Sequence, residues 1–137
     1  MGDYKAKMLS HGMKSMKNIE KINMSNNNLT NEGASNIIES IGTHTKSIDF
    51  SYNKLAKNPL LFSQNFCDLL VLKITDKKYN LREINLQGNT LGDSKIMILL
   101  QSCISQHNTV YKLNLNNNNL TNKISENLKS LLIYSDI

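Results

Sequence analysis

One spacing recurs four times along 137 residues: apolar side chains at relative positions 1, 4, 6 and 11 around an asparagine at position 9. The copies are Ile19, Ile22, Met24, Asn27 and Leu29; Ile48, Phe50, Asn53 and Leu55; Leu81, Ile84, Leu86, Asn89 and Leu91; and Val110, Leu113, Leu115, Asn118 and Leu120. Position 1 of the second copy departs from the frame, with Thr45 where an aliphatic is expected. A fixed period of this kind constrains the fold more than composition does, because no unit buries its apolar face alone and each must stack on its neighbours. The alternation at positions 4 and 6 puts side chains on one face of a short strand. The asparagine ends that strand with an amide that both donates and accepts. Asn27, Asn53, Asn89 and Asn118 are therefore expected to stack as a ladder that satisfies buried peptide groups.

Between these units the apolar spacing becomes helical. After the first, Ile37, Ile38 and Ile41 follow Asn31, a candidate N-cap. The second interval places Pro59 in a first helical turn, where its missing N–H costs nothing, ahead of Leu60, Leu61, Phe62, Phe66, Leu69, Leu70 and Leu72 as an apolar face. Gly92-Asp93-Ser94 precedes Ile96, Ile98, Leu99, Leu100 and Ile104, and Thr121 or Asn122 starts a helix carrying Ile124, Leu128, Leu131 and Leu132.

Asn27 to Asn53 is 26 residues, Asn53 to Asn89 is 36 and Asn89 to Asn118 is 29. The frame resembles a leucine-rich repeat, and the phrase Asn27-Asn28-Leu29-Thr30-Asn31-Glu32-Gly33-Ala34 resembles its ribonuclease-inhibitor-like class, over about residues 19 to 134. The resemblance implies an α/β fold: a right-handed leucine-rich-repeat solenoid, or horseshoe, of about four repeats, with short parallel β-strands on the concave face and α-helices on the convex face. Residues 1–137 read as one such domain, with 1–18 the end of a preceding repeat and 19–44, 45–80, 81–109 and 110–137 the repeats. The excess in the 36-residue interval is assigned to a longer helix plus the polar loop Thr75 to Asn80, a tolerated extension because lengthening a surface loop costs little.

Both ends read as cut. Residues 4 to 17 form a helix whose inner face would be Leu9, Met13 and Met16, and Leu131 to Tyr134 finish a helix without a polar cap, although solenoid ends normally carry one. The chain is expected to be part of a longer array, or a short array whose ends partners cover. No apolar run approaches the roughly 20 residues that cross a bilayer, and the N-terminus lacks a secretory signal. Cys67 and Cys103 sit among apolar residues without metal-ligand spacing, which fits reduced thiols and a cytoplasmic setting.

The net charge of +5 raises nucleic acid as a partner. Its placement argues against that. The concave positions hold Lys21, Asn23, Ser25 and Asn26; Ser47, Asp49, Ser51 and Tyr52; Glu83, Asn85, Gln87 and Gly88; and Lys112, Asn114, Asn116 and Asn117, a nearly neutral surface rich in amides. Arg82 is the one arginine, whereas base and phosphate recognition favours arginine forks. The Lys- and Met-bearing N-terminal stretch could form a basic amphipathic helix for a membrane surface or a calmodulin-type partner, but core packing is the expected use of its apolar residues. His11, His44 and His107 are dispersed, and no nucleophile, metal-ligand or phosphate-loop motif accompanies them.

The expectation is a non-enzymatic protein-binding scaffold without cofactor, metal or small-molecule substrate. Lys21, Asn23, Asp49, Tyr52, Glu83, Asn85, Lys112 and Asn114 would face one protein partner or the several of a large complex, with Tyr52 as the anchor. Abundant Asn and fifteen Lys against one Arg resemble proteins of AT-rich genomes, ciliates among them. A structural subunit of a cytoskeletal or ciliary (axonemal) assembly is therefore the first setting expected. Resemblance also implies an alternative, regulation of actin or small-GTPase signalling, as in tropomodulin-like, CARMIL-like or Ran GTPase-activating-protein-like chains.

Overall fold

A computed structural model describes residues 1–57, 65–104 and 109–126. Helices α1 (Asp3–Met13), α2 (Asn31–Ser40), α3 (Phe66–Thr75) and α4 (Asp93–Ile104) alternate with strands β1 (Lys21–Asn23), β2 (Ser47–Asp49), β3 (Glu83–Asn85) and β4 (Lys112–Asn114), and residues 122–126 turn helical again. The strands pair in chain order, all parallel, with Ile22, Ile48, Ile84 and Leu113 in one register row. These residues point toward the helices. The flanking rows, Lys21, Ser47, Glu83 and Lys112 and then Asn23, Asp49, Asn85 and Asn114, point to the opposite, concave face, as alternation along a strand requires.

The core fills the space between sheet and helices. Leu29, Ile37, Ile38, Phe50, Leu55, Leu70, Leu81, Leu86 and Ile96 are fully buried, and the Phe50 and Phe66 rings meet edge to face at 5.2 Å. Thr45 is buried as well, and its hydroxyl donates to the Ile19 carbonyl at 2.9 Å. The break in the apolar frame thus occupies a buried acceptor of the preceding repeat. In the fourth copy Val110, Leu113 and Leu115 are half-buried and Leu120 is exposed.

Several sequence expectations are corrected. Thr30, not Asn31, caps α2, its hydroxyl accepting from the Glu32 amide at 3.3 Å. Asn31 is the first helical residue, buried, and its Oδ1 accepts from the Phe66 amide at 2.8 Å, joining α2 to the start of α3. Helix α3 begins only at Phe66, capped by Asn65, and has 10 residues like α2, so a longer helix does not account for the 36-residue interval. Pro59, Leu60, Leu61 and Phe62 lie outside the described residues, as do His107, Leu128, Leu131, Leu132, Ile133 and Tyr134. Leu72 and Ile98 face solvent, and Leu100 and Ile104 are half-buried.

In α1 the inner face is Ala6, Ser10 and Met13, while Leu9 and Met16 are exposed. Helix α1 lies so close against α2 that position 33 takes a glycine: a Cβ there would stand 2.9 Å from the Asp3 Cα and 2.2 Å from its Oδ1. The first turn of α1 is tied down by Asp3, whose two carboxylate oxygens accept from the Thr30 amide at 2.8 Å and hydroxyl at 2.6 Å. Asp93 at the start of α4 accepts from the amide and hydroxyl of Thr121 in the same way. Gly2 donates to the Asn27 carbonyl as Gly92 donates to that of Asn118, both glycines with φ of 78°. Residues 2–13 therefore stack as the convex half of a repeat, in the register of α4.

Candidate functional site: the concave sheet face

Two rows of Asn and Asp side chains run across the strands. In the buried row, the Asn53 amide donates to the carbonyls of Met24 and Phe50 at 2.8 and 2.9 Å, and its Oδ1 accepts from the amides of Asn27 and Leu29 at 3.0 Å each. Asn89 donates to Phe50 and Leu86 at 2.9 and 3.0 Å and accepts from Leu55 at 3.4 Å. Asn118 donates to Leu86 and Leu115 at 2.8 and 3.0 Å and accepts from Asn89 and Leu91 at 3.2 Å. Each amide thus bridges its own turn to the repeat before it. Asn27 is half-buried, and its amide donates within its own turn, to the Ser25 carbonyl at 3.0 Å.

The second row lies on the concave face and was assigned by sequence to partner contact. Oδ1 of Asn23, Asp49, Asn85 and Asn114 accepts from the backbone amide two residues on, those of Ser25, Ser51, Gln87 and Asn116, at 2.8 to 3.1 Å. Crosswise, Asn85 donates to Asp49 Oδ2 at 3.1 Å and Asn114 to the Gln87 side chain at 3.2 Å. The four residues are brought together, but much of their hydrogen-bonding capacity is spent inside the fold. The signal was in the sequence: an Asn or Asp at the same position of every copy is the residue type that caps its own turn.

Other side chains project from the face around this row. Lys21 and Lys112 are exposed at opposite edges of the sheet. Glu83 takes Lys112 Nζ at 3.4 Å and the Tyr111 hydroxyl at 3.1 Å. That hydroxyl, with Lys112 second, holds the Glu83 carboxyl below its ordinary value. A depression of about 260 Å³ opens over Ile48 and Ile84 between Asp49, Glu83 and Lys112. Tyr52 is 49 % exposed with φ of 55°, a left-handed conformation, at the slot where the other copies have Asn26, Gly88 and Asn117. Its ring lies across Gly88, where a Cβ would come within 2.7 Å of it. Sequence reasoning chose Tyr52 for its type and missed the backbone that holds it.

Cys67 is buried, and burial pushes its thiol up to about 11; Cys103 is shifted in the same direction for the same reason. Neither is an activated nucleophile. Among the described residues no group of His, Cys, Asp and Glu has a metal-binding arrangement, and no helix is long and apolar enough to cross a membrane.

A parallel sheet of three-residue strands, each followed by a convex helix and bound to the last by a buried asparagine, defines a solenoid of the leucine-rich-repeat class. The chain is a leucine-rich-repeat protein: residues 15–37 and 79–94 match one Leucine Rich repeat model and residues 109–131 match a second. The second copy, around Asn53, lies between the matched segments and is built the same way. A comparison with curated proteins finds no match. Leucine-rich repeats are protein-interaction modules.

Proposed function

We propose that this module is a non-enzymatic scaffold that binds protein through its concave sheet face. One observation carries the reading. The face is already ordered, its amide row hydrogen-bonded within the fold, and it is fringed by Lys21, Tyr52 and Lys112, which are exposed. A surface that does not have to be organised on binding loses little entropy when a partner docks. The left-handed backbone at Tyr52 adds support, since such conformations of bulky residues concentrate where function holds them. Lys21→Ser, Tyr52→Asn and Lys112→Ser together should abolish partner capture while leaving the far-UV circular dichroism intact; undiminished capture would refute the reading.

The setting we favour is a cytoplasmic subunit of a cytoskeletal or ciliary assembly, in the ribonuclease-inhibitor-like geometry. A second surface supports a subunit with more than one neighbour: a convex groove of about 430 Å³ lined by Leu69, Leu72, Lys73 and Tyr79, with Lys73 Nζ 4.2 Å above the Tyr79 ring. Co-sedimentation with axonemal microtubules is the expected result. Binding to actin filament ends would instead favour the regulatory alternative, and binding to neither would exclude both.

A further inference from the structure

The outer side of α1 differs from that of its sister helices. Registered on Asp3, Asn31 and Asp93, the solvent-facing slots of α2 hold Glu32, Asn36 and Glu39 and those of α4 hold Ser94, Ile98 and Gln101, whereas α1 presents Tyr4, Met8 and His11. Tyr4 is 77 % and Met8 59 % exposed, and the two follow one another at i, i+4 along the helix. Lys5 and Lys7 flank that stripe on its two sides, and Lys14 and Lys17 continue it past the helix end, beside a recess of about 300 Å³ that Met16 and His44 help to line. Residues 4–17 contain no carboxylate, and none of these four lysines is in an ion pair among the described residues. The apolar residues are not core, because Ala6, Ser10 and Met13 already fill the contact with α2.

We propose that this face docks on an anionic membrane surface. Its charge and its exposed tyrosine and methionines match such a surface: lysines reach the headgroups while an apolar stripe enters the boundary beneath them. Shape decides against a protein partner. Among the described helices α1 packs on α2, and its outward slots form a ridge of 11 residues, about 16 Å long. A ridge of that size offers less than the roughly 800 Å² per partner of a stable protein interface, whereas a fluid bilayer conforms to it.

The test is flotation of the whole chain with vesicles of phosphatidylcholine alone or with about one-third phosphatidylserine, at rising salt. Binding is expected to the anionic vesicles only and to weaken as salt screens it. Each lysine near the surface is worth roughly fivefold, so K5Q/K7Q/K14Q/K17Q should bind roughly 600-fold more weakly. Y4S/M8S should lose the part of binding that survives high salt. All six positions are exposed, and unchanged circular dichroism would confirm folding. Equal binding to both vesicle types, binding to neither, an unaffected quadruple lysine variant, or capture by polyglutamate beads without capture by vesicles would each overturn the proposal.

Discussion

Tyr52 and Thr90 both adopt left-handed backbone, with φ of 55° and 54°, a conformation that costs an ordinary side chain roughly 1 to 2 kcal/mol. Asparagine tolerates it better, and Asn28 and Asn119 take the slot of Thr90 in other copies. Thr90→Asn should therefore raise unfolding free energy by about 1 kcal/mol in urea titration. Tyr52→Asn should leave stability equal or higher while partner affinity falls, a dissociation that a merely structural tyrosine would not give. The ladder allows a sharper contrast. Asn89→Ala strands the buried Leu55 amide, at roughly 1 to 3 kcal/mol, and takes one of two donors from each of the carbonyls of Phe50 and Leu86, which keep Asn53 and Asn118; it should destabilise by about 3 kcal/mol. Asn27→Ala removes one bond within its own turn and should cost about 1 kcal/mol. The phase of these asparagines was legible in the sequence because a buried amide needs a fixed place in every turn. The concave row beside it was legible as residue type, but whether Asn85 spends its side chain on a partner or on Asp49 and the Gln87 backbone is decided by strand geometry that composition does not carry.

At the scale of elements, the apolar spacing located the helices, but the choice of face in α1 followed from a neighbour. Leu9, Met13 and Met16 and the observed Ala6, Ser10 and Met13 share a helical period, and only the close approach of Asp3 to Gly33 selects the smaller set. Gly33→Ala, which in an isolated helix would gain about 1 kcal/mol, should here loosen α1, seen as faster amide exchange over Asp3–Met13. Helix α4 carries a pH dependence. Hydrogen bonds from the Thr121 hydroxyl and then its amide hold the Asp93 carboxyl below its ordinary value. The stability they give is present above the unfolded-state value of about 4 and lost as pH falls through the lower folded-state one. Thr121→Val should shrink the difference in stability between neutral and strongly acidic solution, read as the pH dependence of the thermal midpoint. An unchanged pH profile would show that the contact does not form in solution.

For the molecule as a whole, the period fixed the strand order, the parallel register and the side on which the helices lie, because each repeat has one neighbour on either hand and one way to cover its apolar residues. It did not fix where the 36-residue interval stores its excess, since α3 is no longer than α2. Nor does a repeat frame name a partner: the same core carries any outward residues, and those we propose to meet one, Lys21, Tyr52 and Lys112, stand beside the repeated positions of the frame. The most direct measurement is lysine footprinting of the protein as isolated with its native partners, compared with the free chain. Selective protection of Lys21 and Lys112, with Lys54 and Lys57 as reactive as in the free chain, is the expected result; unprotected Lys21 and Lys112 in a complex that shields other lysines would contradict binding through the concave face.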